Sequence, residues 1–392
     1  MARASLSSIL QMKHKEGVAA PTRQPRPIAI DFGTSALKIL QVTGSETPAL
    51  VALASLDTPE ELFDDAASRI SFQTQQLPQL IRSAGFKGKR AVCLLPVSLT
   101  FCKHIQVPKG DAHAIESGTK IALASQLGVD PSMLVLRHNV VGLVGAEQNK
   151  VEVIGMAAAR STVDLLMRSM VAAKLEPVGM HPEFGAALAG FNAIGAAPED
   201  KTTLYLDLGF GTTKAFIARG GRLMFARSFD FGGRALDKSL AARWKVSEHR
   251  AHEARRNDAD YTGVQRAPMM SLGSLNGAAN STTTNTKKTP SVMPDLKEAF
   301  EILSDEVGMC IRYHRNLFPN QPVERAVFTG GESANLGLCR RLASAVRVAV
   351  QTGDPMGAIQ KSGKEPAQGV DMSGPLPGFA AALGLSMCPT DL

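Results

Sequence analysis

The chain has 392 residues, with 43 lysines and arginines against 36 aspartates and glutamates, a formal net charge of +7, and 44% hydrophobic residues. That length suits two domains rather than one core, and no stretch approaches the ~20 apolar residues of a membrane-spanning helix. Five cysteines (Cys93, Cys102, Cys310, Cys339, Cys388) are odd in number and lack CxxC spacing. This argues against a disulfide framework or zinc site and predicts a reducing, cytoplasmic setting.

Residues 1–26 carry Arg3, Lys13, Lys15, Arg23 and Arg26 against Glu16, more than half of the net charge. They lack the apolar core of a secretory signal and read as a disordered basic extension. One stretch within them, "SLSSILQM", spaces Leu6, Ile9 and Leu10 as a short helix would. The remaining body is close to neutral, so no nucleic-acid surface is expected.

The first ordered element is "PIAIDFGTSALKILQV", residues 27–42. An apolar strand ends at Asp31, turns through Gly33, Thr34 and Ser35, and leaves as a second strand carrying Lys38. Residues 91–106 give two β-rich runs broken at Pro96, 112–127 a helix, and 133–141 and 150–158 two strands. A helix over 161–175 is expected to be capped by Ser161, with Asp164 at its third position. Residues 183–193, opening with Glu183, connect the two halves.

The second half opens with "TTLYLDLGFGTTKAFIARGGRLMFARSFDFGG", residues 202–233, which repeats the first hairpin. Asp207 ends a strand as Asp31 does, and glycine follows two residues later and lysine seven residues later in both copies. Gly209, Gly211, Thr212, Thr213 and Lys214 match Gly33, Thr34, Ser35 and Lys38. A tight glycine turn exposes backbone N–H groups and hydroxyls that can wrap phosphate oxygens, while a carboxylate at the strand end can hold Mg²⁺ through water. Aspartate and glycine are also ordinary turn residues, but two matching copies in one chain favour a phosphate clamp.

A helix follows over 236–254. His249 and His252 have a helical metal spacing but no acid or cysteine to complete a site, so they read as a solvated face. Residues 257–292, rich in Ser, Thr, Asn and Gly, read as disordered. Trp244 and Phe300 are expected in the core. After a helix at 295–316, "VERAVFTGGESANLGLCRRLASAV" gives a buried strand, Gly330-Gly331, and a helix begun by Glu332 and Ser333. The double glycine allows a flat adenine or ribose to approach the backbone.

Together these motifs resemble the actin-like ATPase superfamily of actin, Hsp70, sugar kinases and FtsA. The stretches "KRAVCLLPVSLTFCKHIQVPKGD", "KVEVIGMAAARSTVDLLMRSMVAAKLEPVGMHPEFGAALAGF" and "PLPGFAAALGLSM" are similar to the PilM family of type IV pilus assembly. The resemblance, over roughly 27–388, implies an α/β fold with a duplicated actin-like, ribonuclease H-like pair of domains and an FtsA/PilM-type insert. Domain I would span 27–198, including a β-β-α-β-β-α subdomain at about 88–160. Domain II would span 199–375 with the disordered insertion, and 376–392 a closing helix and tail returning to domain I.

The resemblance further implies ATP with Mg²⁺ as cofactors. Gly33, Thr34, Ser35, Lys38, Gly209, Gly211, Thr212, Thr213 and Lys214 would bind phosphates. Gly330, Gly331, Glu332 and Ser333 would bind adenosine, and Asp31 and Asp207 would orient the metal through water. Glu183 falls where the family carries an acid near the γ-phosphate; a carboxylate at a helix start is also favoured by the helix dipole alone. His181 and Phe210 depart from the family, which more often has an acid and a small residue there, and imply slow or absent hydrolysis.

The implied function is a cytoplasmic ATP-binding scaffold, peripheral to the inner membrane. It would capture the cytoplasmic N-terminal peptide of a PilN-like inner-membrane protein in a groove walled by 91–106 and 112–127. The alternative is an active ATPase or phosphotransferase of the same superfamily, although no sugar-binding lobe with a general base is evident. No amphipathic segment follows the closing helix, so an FtsA-like membrane filament is not expected.

Overall fold

A computed structural model describes residues 24–44, 47–144, 147–263 and 291–390. The chain begins with β1 (Ile28–Phe32), β2 (Ala36–Val42) and β3 (Leu50–Asp57), then α1 (Ala66–Ser83) and β4 (Arg90–Leu95). Next come β5 (Phe101–Pro108), α2 (Ala112–Leu127), β6 (Leu134–Val144) and β7 (Lys150–Ala159). Helix α3 (Arg160–Ala172), β8 (Glu176–Pro182) and α4 (Glu183–Ala193) lead to the second half.

That half contains β9 (Thr202–Leu208), β10 (Thr213–Arg219), β11 (Arg222–Phe229), α5 (Gly233–Trp244), α6 (Glu248–Asn257) and α7 (Ala259–Thr262). It continues with α8 (Lys297–Leu317), β12 (Arg325–Thr329), α9 (Leu336–Val346) and β13 (Ala349–Thr352), and ends with β14 (Ala367–Gln368) and α10 (Ala380–Met387).

The duplication is visible in the sheets. Domain I has the order β14-β3-β2-β1-β4-β8 and domain II the order β11-β10-β9-β12-β13. In each, an antiparallel three-strand meander continues into parallel strands beside its first member. The central strands are buried along almost their whole length, which suits sheets covered on both faces. This is the expected α/β fold.

Helices α4 and α10 lie between the two sheets. Phe184, Phe191, Ala381 and Leu385 pack there with Val92 and Leu94 of domain I and Tyr205 and Phe216 of domain II. The helices cross so closely that a Cβ on Gly384 would sit 1.7 Å from the Ala186 carbonyl oxygen. Only glycine fits that crossing. It packs the two domains together, and the first residues of both helices reach the cavity between them.

Several expectations change in detail. Strand β4 belongs to the domain I sheet, not the insert, because its residues pair with β1 and β8 and are buried on both sides. The insert is therefore β5-α2-β6-β7, a three-stranded sheet of order β5-β7-β6 with α2 on one face, starting at 101 rather than 88. Helix α3 packs against α1 in domain I, and its N-cap is Ala159, without a side-chain cap, because β7 runs straight into it. Ser161 and Asp164 lie inside the helix.

The expected helix over 236–254 is two helices, broken where Lys245 adopts a left-handed φ of 55°. Trp244 is not core: it is 36% exposed, and its Nε1 donates to Asp295 Oδ2 at 2.9 Å. Phe300 is buried.

The ordered body extends beyond 27, since Pro25 bridges Thr43 and Arg26 N donates to the Val42 oxygen. Residues 257–263 are also structured, with Tyr261 fully buried, as is Val292. The rest of the expected disordered segments at 1–26 and 257–292 lies outside the described residues. The return to domain I starts before 376: Gln360 bridges Ala49, and β14 pairs with β3.

Candidate functional site

Register explains why each hairpin carries its acid and lysine seven residues apart. Asp31 is the cross-strand partner of Lys38, and Asp207 of Lys214. Both pairs stand at the cleft ends of their hairpins. The two turns meet there: a Cβ on Gly211 would reach Thr34 Oγ1 within 2.6 Å.

Between the domains lies a cavity of about 830 Å³. From the first hairpin it takes Asp31, Gly33, Thr34, Ser35 and Lys38; from the second, Asp207, Gly209, Gly211, Thr212 and Lys214. Glu183, Gly330, Gly331 and Glu332 of the sequence-predicted set line it as well. Two candidates stand behind the wall. Thr213 is buried and donates its hydroxyl to the Phe231 oxygen at 2.6 Å, and Ser333 donates to the Gly330 oxygen at 2.8 Å.

The lysines are not free point charges. Lys214 Nζ lies 2.9 Å from Asp207 Oδ2 and 2.5 Å from Glu183 Oε2. Burial works to lower the ammonium, but these two carboxylates outweigh it and hold it above its ordinary value. Lys38 instead donates to the Gly378 oxygen at 2.7 Å and so ties β2 to the closing segment. The Asp31 carboxylate makes no hydrogen bond or ion pair among the described residues. Burial pushes its carboxyl up to about 6, against the pull of Lys38.

Glu183 opens α4 and uses both oxygens: Oε1 accepts from Val97 N at 2.7 Å and Oε2 from Lys214. His181 stands apart from the cavity wall, its Nε2 2.8 Å from the Pro389 oxygen.

Gly330 turns the chain out of β12 with φ 87°, and a Cβ there would lie 2.2 Å from Asp207 Oδ1. Glycine at this corner lets the acid and the loop approach. Glu332 is held from below. Its Oε2 accepts from Arg255 Nη1 at 2.7 Å, Tyr261 Oη at 2.8 Å and Asn335 Nδ2 at 3.0 Å. Arg255 is fully buried and also binds Asp237, so it holds two acids at the cavity floor.

The sequence reading missed part of this wall. Phe63, Arg234, Asp237 and Arg256 line it, as do both histidines of α6. His252 is not simply solvated, because its Nδ1 lies 2.8 Å from Asp237 Oδ2. Acid and base sit 15 residues apart on different helices, which leaves no local signal. Among the described residues no group of three or more His, Cys, Asp or Glu is placed to hold a metal unaided.

The structure superposes on a solved PilM-PilN type IV pilus biogenesis complex with a TM-score of 0.71, at 22% identity, covering 93% of this chain and 98% of that one. Ethanolamine utilization protein EutJ from Carboxydothermus hydrogenoformans matches with a TM-score of 0.51, at 14% identity, covering 94% and 91%. At these identities both show a shared fold, the two-domain actin-like arrangement. The model of the family described as type IV pilus assembly protein PilM matches residues 29–263, from β1 through the whole insert to the end of α7, and the chain belongs to that family.

Proposed function

We propose that the protein binds ATP with Mg²⁺ between its domains and serves as an actin-like scaffold of type IV pilus assembly, or of a related secretion or competence machine. The observation that carries this is the convergence of two equivalent hairpins on one cavity. Its volume, about 830 Å³, falls within the range of small-molecule and cofactor sites. Exposed turn amides and the hydroxyls of Thr34, Ser35 and Thr212 suit phosphate oxygens. Gly330 and Gly331 suit the nucleoside.

Three carboxylates (Asp31, Asp207, Glu183) face only two ammonium groups at the phosphate end, so a polyanion needs a cation with it. Asp31, half-buried and without an ion-pair partner among the described residues, fits a hydrated Mg²⁺, with Asp207 beside it. Bound there, the metal would neutralise phosphate charge. Glu183 is committed to Val97 and Lys214, which favours holding the nucleotide over hydrolysing it quickly.

Calorimetry with ATP and GTP, with and without Mg²⁺, tests the reading. Mg²⁺-dependent adenine nucleotide binding is expected, and no binding of any nucleotide would sink it.

The partner is an extended apolar peptide from an inner-membrane protein of the PilN kind. The PilM-PilN complex supports this, as do the insert's open edges: β5 and β6 each lack a neighbour on one side among the described strands. The groove lies where the insert meets domain I. There Arg160 Nε reaches the Ser132 oxygen at 3.1 Å, and Met133 and Leu165, on the elements that meet, are exposed. Of the walls first expected, 91–106 and 112–127, the part at 91–95 drops out, since β4 is inside the main sheet. Among the described residues no helix is long and apolar enough to cross a membrane, so membrane attachment would come through this partner.

A further inference from the structure

Phe210 stands at the tip of the second hairpin, where a small residue would leave the turn open. Its ring packs edge-on against Phe63 of domain I, with centroids 4.9 Å apart, and against His252 at 5.9 Å. Beside it, Arg234 of domain II grips Asp64 of domain I with both terminal nitrogens; Nη2 lies 2.7 Å from Oδ2. The guanidinium also stacks over the Phe63 ring at 5.4 Å, and Lys238 reaches Asp64 at 3.3 Å. These contacts bridge the two domains at the cleft mouth, away from the glycine crossing of α4 and α10.

Each half is bolted to its own phosphate hairpin. In domain II, Gly233 N donates to the Gly209 oxygen at 3.1 Å and Arg234 N to the Phe210 oxygen at 2.9 Å. In domain I, Arg69 Nη1 donates to the Phe63 oxygen at 2.9 Å, and Asp65 caps α1. Gln73, one helical turn further on, donates to the Gly33 oxygen at 2.9 Å. Separating the hairpins and breaking Phe63 from Phe210 are therefore one motion. Asp64 is 71% exposed and Arg234 14%, so the ion pair opens to solvent without dismantling a core.

We propose that Phe63 and Asp64, with Phe210 and Arg234, form a clasp across the cleft mouth that sets the rate of nucleotide release. The proposal rests on the nucleotide reading above and adds a kinetic role for residues that touch no phosphate motif of domain I. Exposed ion pairs and single aromatic pairs are individually weak. A clasp built from them opens on thermal fluctuation and slows exchange without preventing it.

The test is stopped-flow release of a fluorescent ATP analogue, chased with unlabelled Mg²⁺·ATP, from the full chain. Phe63→Ala and Asp64→Asn should each speed release by about fivefold. Equilibrium affinity should change less, because entry accelerates too. Added salt should speed release from wild type more than from Asp64→Asn, since in wild type screening also acts on the ion pair. Unchanged release in both variants would overturn the clasp.

Small-angle scattering without nucleotide gives an independent readout. The double variant should show a larger radius of gyration, and an unchanged radius would also overturn it. Wild type that binds no nucleotide would instead overturn the nucleotide reading, while scattering still decides whether these residues hold the domains together.

Discussion

Asp31 and Asp207 hold the same register in duplicate hairpins, each opposite a lysine, yet among the described residues only Asp207 of the two is ion-paired. Lys214 stays with its cross-strand acid, whereas Lys38 turns away to the Gly378 oxygen. The closing segment has taken the lysine from Asp31. The two hairpins match in register but differ in how their lysines are engaged.

The first prediction follows from that inequality. Burial holds Asp31 at about 6, so it takes up a proton between pH 7 and pH 5. A proton and a hydrated cation compete for the same carboxylate. Mg²⁺·ATP affinity should fall by about tenfold over that range, beyond the titration of ATP itself. In Asp31→Asn the protein's part of this pH dependence should vanish and Mg²⁺ should matter less. Calorimetry at several pH values checks it; a wild-type profile parallel to that of the variant counts against the role.

Lys214 carries the second. It neutralises Asp207 and Glu183, whose side chains are about 9–10% exposed. Lys214→Met leaves two acids facing each other and should cost about 3 kcal/mol. Adding Glu183→Gln should recover part of the loss, because one of the unpaired charges is gone. Denaturant midpoints of the single and double variants decide it.

Arg255 gives the third. It is fully buried between Asp237 and Glu332, which are 2% and 5% exposed. Arg255→Met should cost about 3–5 kcal/mol, and Glu332→Gln in that background should restore stability rather than lower it further. Additive losses would show that the acids are solvated in a way this geometry does not provide.

The hairpins were legible because Asp, Gly, hydroxyls and Lys recur at the same spacing in two copies, and cross-strand register turns that spacing into contact. The double glycine was legible because a left-handed corner in close contact with a neighbouring loop, as Gly330 makes, calls for glycine. What escaped were relationships made only by tertiary return. Lys38 meets Gly378 from 340 residues away. The contact of Phe63 with Phe210 spans two domains, and the residues around Phe63 carry no motif. Strand β4 looked like part of the insert because its apolar run adjoins β5, and only its parallel pairing with β1 shows otherwise. The break at Lys245 is a left-handed lysine, where sequence usually marks such a turn with glycine.

His314 supplies a prediction about acid. It is fully buried, both ring nitrogens lack a hydrogen-bond partner among the described residues, and burial, aided by His104, lowers it to about 4. Below the ordinary histidine value the unfolded chain binds a proton that the folded chain refuses. Stability is therefore present above pH 6.5 and lost as pH falls toward 4. His314→Phe should relieve about 1–2 kcal/mol of the loss at pH 5. Asp31 titrates in the same window with the opposite sign, so the comparison is the variant against wild type at each pH, read from urea midpoints.

The last prediction separates partner capture from nucleotide binding. No residue of β5, α2, β6 or β7 lines the cavity, whose domain I wall passes from Ser98 to Glu183. The insert nevertheless touches domain II: His104 pairs with Glu152 at 2.9 Å, and Tyr313 of α8 donates to the same carboxylate at 3.0 Å. Deleting the insert would expose that contact and confuse lost folding with lost binding. Charged substitutions at exposed positions avoid the difficulty. Met133→Arg and Leu165→Arg sit at 57% and 42% exposure, so neither should move the melting temperature by more than a few degrees. If the partner's apolar peptide lies where the insert meets domain I, each should weaken its capture by about tenfold, because a guanidinium would replace apolar contact there. Mg²⁺·ATP affinity should stay at the wild-type value in both. Capture that survives both substitutions would place the peptide elsewhere on the insert, with the open edges of β5 and β6 the next surfaces to substitute.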